Sequence, residues 1–154
     1  MYLTGVTGSW SMYGYQSGVT TTEHLQNQDY KVCIRREDGY CSVRHTATSS
    51  TSFDLSSAAN ADTAISVAGA TCYADFVNIP GGSLDGNPET KDRYCGGALG
   101  FPSPGVPVSQ AIISKFGLNM LYLYLILILQ QKWFPSRLLS TLMVLKLPVL
   151  HPME

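Results

Sequence analysis

Four cysteines are the residues of this 154-residue chain best suited to covalent chemistry. They are Cys33, Cys41, Cys72 and Cys95, an even number at spacings that do not repeat. In a short chain this pattern is typical of two disulfides formed in an oxidising compartment. A zinc site is disfavoured because the cysteines lack the close C-x-x-C or H-x-x-x-H spacing that zinc ligands usually show. The cysteines therefore indicate covalent cross-links.

Catalytic groups are sparse. The three histidines are His24, His45 and His151; we expect His45 to lie half-buried at a strand end and His24 in a loop, and His151 belongs to an apolar tail. No serine stands in a Gly-x-Ser-x-Gly motif, which would mark a nucleophile elbow. The adjacent carboxylates Glu37 and Asp38 lie at an expected turn, where a solvated tip is the usual environment. The sequence predicts that the chain is not an enzyme.

Binding of phosphate or nucleic acid is also disfavoured. The glycine-rich segments at 81–83 and 96–97 are not followed by the Lys-Ser/Thr of a phosphate-binding loop. Arg35, Arg36 and Arg44 form a small basic patch without the aromatic residues of an RNA-binding sheet. The formal net charge of −1 gives no field that favours polyanions. We predict no nucleic-acid partner and no cofactor.

Residues 1–110 have the pattern of β structure, since short segments rich in Val, Ile, Tyr and Thr alternate with turn-forming clusters. The clearest predicted hairpin runs from Tyr30 to Thr46, with a turn at Asp38-Gly39. With the turn centred near Glu37, Cys33 and Cys41 would lie opposite each other. Directly opposed strand residues are about 4.5–5.5 Å apart at Cα, which is within disulfide range.

A second hairpin-like unit follows Cys72. Tyr73–Ile79 is predicted as a strand, and the segment Pro80–Ser83 is expected to end it. The chain then returns through Arg93–Gly97. This unit places Cys72 just before its first strand and Cys95 near the end of its second.

An apolar tail begins at Leu118. Its run from Leu118 to Leu129 is shorter than the roughly 20 residues that span a bilayer, and an extension back to Ala111 includes Lys115 and Asn119. A membrane contact is therefore predicted only through residues 111–129, as a minority alternative. The part from residue 120 to 129 is uncharged and free of proline, so it would promote aggregation if it were exposed.

Three segments carry recognisable motifs: Asn27–Ser42, Cys72–Gly82 with a C-x-x-D motif at residues 72–75, and Asp92–Gly97 with a Tyr-Cys-Gly motif at 94–96. Together they resemble the CUB domain, in particular the CUB-like domains of arthropod extracellular proteins. Weaker similarity extends from Tyr2 to about Leu118. The resemblance implies an all-β fold, a two-sheet antiparallel β-sandwich of jelly-roll type. It also implies an extracellular binding module for another protein or a carbohydrate.

The chain departs from the family pattern at both ends. We expect residues 1–117 to form a CUB-like domain that lacks its start and its final strands, with residues 118–154 as a tail outside it. Met1 leads into Tyr2 and Leu3 without the basic start and apolar core of a secretion signal, so we expect that the export signal has been lost. The alternative function is a membrane-attached or non-functional truncated product, in which the tail is a membrane or partner segment.

The resemblance also implies roles for single residues. Cys72 and Cys95 match the family's second disulfide pair, whereas the usual partner of Cys33 lies upstream and is missing here. We therefore predict that Cys33 pairs with Cys41. Asp75 matches an aspartate that binds calcium in a subset of CUB domains, but the glutamate expected before Cys72 is absent. We predict that Asp75 makes structural hydrogen bonds and that no metal is bound.

Overall fold

A computed structural model describes residues 1–13, 15, 27–49, 52–53, 55, 66–84, 87–101, 109–116, 122–129 and 142–145. Every helix or strand assigned within these ranges is a strand. The ten strands are β1 (Tyr2–Leu3), β2 (Gly8–Ser11), β3 (Gln28–Arg35), β4 (Ser42–Ala47), β5 (Ser66–Ala68), β6 (Phe76–Leu84), β7 (Thr90–Gly96), β8 (Ile112–Lys115), β9 (Tyr122–Leu129) and β10 (Leu142–Leu145). The predicted all-β class is confirmed.

The strands form a β-sandwich whose two layers share β6. Neighbouring strands follow the order β1-β3-β9-β6-β8-β4-β10-β2, while β7 lies beside β6 and β5 beside β7. All pairs are antiparallel except β1 with β3. The first part of β6, Phe76–Asn78, pairs with β9, and its last part, Ser83–Leu84, pairs with β8. β6 therefore carries the backbone pairing from one layer to the other.

The core lies between the layers because alternate residues of each strand point inward. β3 contributes Val32 and Ile34, and β4 contributes Val43, all at most 2% exposed. The other large side chains that are fully buried are Phe53, Leu55, Ile79, Tyr94, Leu99 and Ile112. These side chains form one contiguous cluster with Trp10 of β2, so both layers contribute to the same core.

The predicted hairpin from Tyr30 to Thr46 is wrong in its pairing, although its turn is present. Gly39 has φ 82°, and the Tyr40 amide donates to the Glu37 carbonyl at 3.1 Å. The flanking strands do not pair with each other, since β3 lies between β1 and β9 and β4 lies between β8 and β10. The turn therefore connects the two layers of the sandwich.

The predicted end of a strand at Pro80–Ser83 is also wrong. β6 continues through this segment to Leu84, and its register with β7 shifts between Asn78 and Gly82. Such an irregularity accommodates Pro80, which has no amide donor, and Gly81, which has φ 62°. The return strand β7 pairs with β6 antiparallel, as the second predicted hairpin requires.

The expectation that no part of the chain after Leu118 joins the sandwich is wrong. β9 pairs with β3 over eight residue pairs, from Gln28↔Leu129 to Arg35↔Tyr122, and with β6 on its other edge. β10 pairs with β2 and β4. The pairing provides hydrogen-bond partners for the backbone amides and carbonyls of β9, an apolar segment with β propensity. Without these neighbours, both edges of β9 would be unpaired. A division of the chain after residue 117 would therefore separate β9 from both of its neighbours.

Among the residues that the structure describes, no helix has the length and apolar character needed to cross a bilayer.

Candidate functional site

A disulfide joins Cys72 to Cys95, with the two Cα atoms 5.8 Å apart. Cys95 lies near the end of β7, and Cys72 follows the turn after β5, where its amide donates to the Gly69 carbonyl at 3.1 Å. Both cysteines are fully buried. The predicted Cys72–Cys95 pairing is confirmed, and the bond attaches the β5–β6 connection to β7.

The predicted pairing of Cys33 with Cys41 is wrong, because both thiols are free. Cys33 is buried within β3, where its neighbours across the sheet are Tyr2 and Tyr124, and Cys41 is exposed just before β4. The prediction required β3 and β4 to form one ladder. Since these strands belong to different layers, no directly opposed pair of residues arises between them.

Asp75 is buried at 3% exposure, at the end of the C-x-x-D segment that leads into β6. Across the described ranges, no group of three His, Cys, Asp or Glu side chains comes together as a metal site would require. The structural role of Asp75 remains a prediction.

His45 is fully buried, deeper than the half-buried strand end expected for it. Its Nε2 atom shares a hydrogen bond of 2.7 Å with the Ser114 hydroxyl. Burial lowers the pKa of His45 from 6.5 to about 3, so the ring is neutral at physiological pH. His24 and His151 lie outside the described residues.

The predicted basic patch of three arginines rested on the hairpin that does not form. Arg35 is exposed on β3, Arg36 is half-buried in the turn, and Arg44 is exposed on β4. The ladder that would have placed Arg35 and Arg44 on one hairpin surface is absent, because their strands are not neighbours.

An open groove of about 410 Å³ lies between the turn after β5 and the start of β7. It is lined by Gly69, Ala70, Thr90, Lys91, Asp92 and Arg93. Sequence reasoning missed this groove. Lys91 and Arg93 are two residues apart in a strand, so the sequence alone could have placed both cations on the same face of that strand.

The wall of this groove requires a glycine at position 69. Gly69 has φ 85°, a conformation that other residues rarely adopt. A Cβ atom there would also lie 3.3 Å from Cδ of Lys91, so the missing side chain leaves room for the lysine. The Gly69 amide donates to the Arg93 carbonyl at 2.9 Å, which holds the turn against β7.

The guanidinium of Arg93 is held in place from two sides. Its Cζ atom lies 4.7 Å from the centroid of the Phe76 ring, a cation–π contact. Its Nη1 atom donates to the Cys72 carbonyl at 3.4 Å. Cys72 belongs to the disulfide and its carbonyl accepts the hydrogen bond from Arg93. The disulfide therefore helps to hold Arg93, a residue of the groove, in its position.

The other charged groups along the groove have their own partners. Nζ of Lys91 lies 2.7 Å from Oε1 of Glu89 in a partly exposed ion pair. Asp92 accepts a hydrogen bond from the Gly81 amide at 2.8 Å. Burial raises the pKa of Tyr94, the nearby Asp92 carboxylate adds to the rise, and the neutral phenol donates to the Lys91 carbonyl at 3.0 Å. The arrangement suits recognition of a polar ligand.

Comparison with known proteins identifies the family. No curated protein sequence and no solved structure matches the chain significantly. The family model of the animal CUB domain matches residues 1–121, which is most of the chain. The sandwich of strands and the Cys72–Cys95 bond agree with the fold and the cysteine pair that the sequence resemblance implies. The chain belongs to the animal CUB domain family.

Proposed function

We propose that the chain is an extracellular binding module that recognises another protein or a carbohydrate. The Cys72–Cys95 disulfide is the observation that carries this proposal, because such bonds persist mainly in oxidising compartments. Membership of the CUB family supports it, since CUB domains are interaction modules. A rigid sandwich that presents loops and a groove is a common architecture for binding.

The environment of His45 supports a non-enzymatic role. His45 is fully buried and hydrogen-bonded to Ser114, so its ring does not reach a substrate in solution. A general base must come within hydrogen-bond reach of the proton that it removes. The groove beside the disulfide offers charged and hydroxyl groups for recognition, and its cations are already engaged in fixed contacts.

The test is expression of the 154-residue chain in an oxidising compartment, followed by a binding screen against extracellular proteins and immobilised glycans. We expect a disulfide-bonded product that binds at least one ligand, with binding lost in the Cys72→Ala/Cys95→Ala double variant. Absence of binding throughout the screen would contradict the proposal. Co-sedimentation with neutral lipid vesicles as the sole activity would instead support a membrane-attached product.

A further inference from the structure

The short strand β8 connects two groups of strands. It has four residues, all of which pair with β4, and two of them also pair with β6. In the described part of the chain, β4, β10 and β2 are joined to β6 and the strands beyond it only through β8. The ladder between β3 and β9 is longer, with eight pairs. The backbone contact between the two groups therefore depends on the β4–β8 ladder.

A titratable side chain is buried in this ladder. His45 of β4 and Ser114 of β8 are both fully buried, and Nε2 of His45 lies 2.7 Å from the Ser114 hydroxyl. Within the described residues, Nδ1 of His45 has no hydrogen-bond partner. Protonation makes both ring nitrogens donors, so one buried donor would be left without an acceptor.

The strands beside His45 offer no counter-charge for an imidazolium. Arg44 and Lys115 are the charged residues of β4 and β8, and both are exposed. They alternate with His45 and Ser114 along their strands, which places them on the opposite face of the ladder. The sequences of β6 and β10 contain no titratable residue.

The core provides no counter-charge either. Among the described residues, the titratable side chains of the hydrophobic core outside the disulfide are phenols, which are uncharged in acidic solution: Tyr15, Tyr30 and Tyr94. The carboxylate of Asp75 is also buried, but burial of the ring is the cause that lowers the pKa of His45. An imidazolium at this position is therefore stabilised only by access to water.

We propose that protonation of His45 opens the β4–β8 ladder, so that acid separates β4, β10 and β2 from β6 while the β3–β9 ladder persists. Opening breaks four backbone pairs and exposes Val43 and Ile112, which costs less than unfolding of the whole sandwich. The open state solvates the ring and binds the proton more tightly, so opening becomes more favourable as the pH falls. A return to neutral pH removes the proton and restores the ladder. This acid-sensitive contact does not depend on the proposed binding function.

Native-state hydrogen exchange of the disulfide-bonded, 154-residue chain tests the proposal. Mass spectrometry follows peptides from β4, β8, β3 and β9 between pH 7.5 and 4.5, with intrinsic exchange rates corrected for pH. We expect the protection of β4 and β8 to be at least about tenfold lower than that of β3 and β9. It should also decrease about tenfold per pH unit below 6.5, the effect of one proton bound on opening.

Variants assign the pH dependence to the ring. In His45→Gln, which does not titrate, the protection of β4 and β8 should change by less than about twofold between pH 6.5 and 4.5; His45→Leu is a second non-titrating variant. Ser114→Ala should lower their protection at every pH and keep the pH dependence, because the ring remains. His24→Gln and His151→Gln are the matched controls and should keep the parent's pH dependence.

Three outcomes would overturn the inference. Equal protection of the β4–β8 and β3–β9 ladders at every pH would show that the sandwich opens only as a whole. Protection of β4 and β8 that does not change with pH would show that no proton is bound on opening. Loss of the pH dependence in His24→Gln or His151→Gln would assign it to another histidine. If neither variant of His45 folds, these two controls still identify the titrating residue by elimination.

Discussion

The Nε2 atom of His45 lies 2.7 Å from the Oγ atom of Ser114, and both side chains are completely buried between β4 and β8. The register pairs His45 with Ile112 and Val43 with Ser114, so the contact crosses the two strands diagonally. The Nδ1 atom of His45 has no hydrogen-bond partner in the described structure. The ring is therefore accommodated only as a neutral group.

Acid should destabilise the domain through His45. The pKa is 6.5 in the ordinary state and about 3 in the fold because burial disfavours the imidazolium. The His45 ring thus binds a proton more tightly in the unfolded chain than in the folded one. The free energy of unfolding is therefore unaffected by His45 above pH 6.5 and decreases as the pH falls from 6.5 toward 3. The expected slope is about 1.4 kcal/mol per pH unit in that window.

This slope is measured by urea denaturation between pH 3.5 and 7.5, with His45→Leu as the comparison because it cannot titrate. The variant should lose the histidine part of the pH dependence and keep the part that carboxylates contribute. Identical slopes in the two proteins would contradict the prediction.

Removal of the disulfide should destabilise the domain by about 3 kcal/mol, the value expected for a loop of this size on the chain-entropy model. The bond closes a sequence separation of 23 residues. The double variant Cys72→Ala/Cys95→Ala is compared with the parent by equilibrium unfolding. Cys41→Ser is the control, because that thiol is free and exposed, and should change stability by less than about 0.5 kcal/mol. If the double variant and Cys41→Ser lost similar amounts of unfolding free energy, the disulfide would not be the source of the stabilisation.

Substitution of Gly82 should be costly because β6 approaches its neighbours closely there. An added Cβ atom would lie 2.8 Å from Cγ2 of Ile112 and closer still to the hydroxyl of Tyr94. Gly82→Ala is expected to lower the free energy of unfolding by about 1–3 kcal/mol. Gly8→Ala in β2 is the matched control, since no atom lies within 4 Å of its added Cβ. Thermal melts that rank the two variants in the opposite order would contradict the packing described here.

The pairing of β9 predicts the effect of truncation. A chain that ends at residue 117 loses β9 and β10, which leaves the edges of β3 and β6 that face β9, and of β2 and β4 that face β10, without a partner. We expect it to lack a cooperative melt and to aggregate, because open edges template intermolecular pairing. A chain that ends at residue 145 keeps all ten strands and serves as the control. Size exclusion and circular dichroism compare the two. A monomeric, cooperatively melting short chain would show that β9 and β10 are both dispensable.

Local signals in the sequence predicted the parts of the fold that local interactions determine. The β6–β7 pair follows from neighbouring segments, whereas the Cys72–Cys95 bond was implied by the resemblance of the C-x-x-D and Tyr-Cys-Gly motifs to the CUB family. The turn at Gly39 was also predicted, but its strands pair elsewhere. A tight turn is compatible with a hairpin and with a change of layer. The choice depends on distant partners.

The tail and the groove required information that short windows of sequence do not contain. An apolar run such as β9 has the same composition whether it is a central strand or a detached segment. Its position is determined by β3 and β6, which lie far earlier in the chain. The groove depends on Gly69 meeting Lys91 across β5 and β7, a contact between two separate segments. Periodicity alone reports neither relationship.

The position of β9 has a consequence for the time course of folding. Gln28 pairs with Leu129, so the central ladder closes a loop on the order of 100 residues, and such non-local contacts slow folding. During synthesis β3 emerges long before the strand that completes it. The nascent chain therefore carries β3 with one edge unpaired while about 100 further residues are added, and that edge can pair with another chain until β9 arrives.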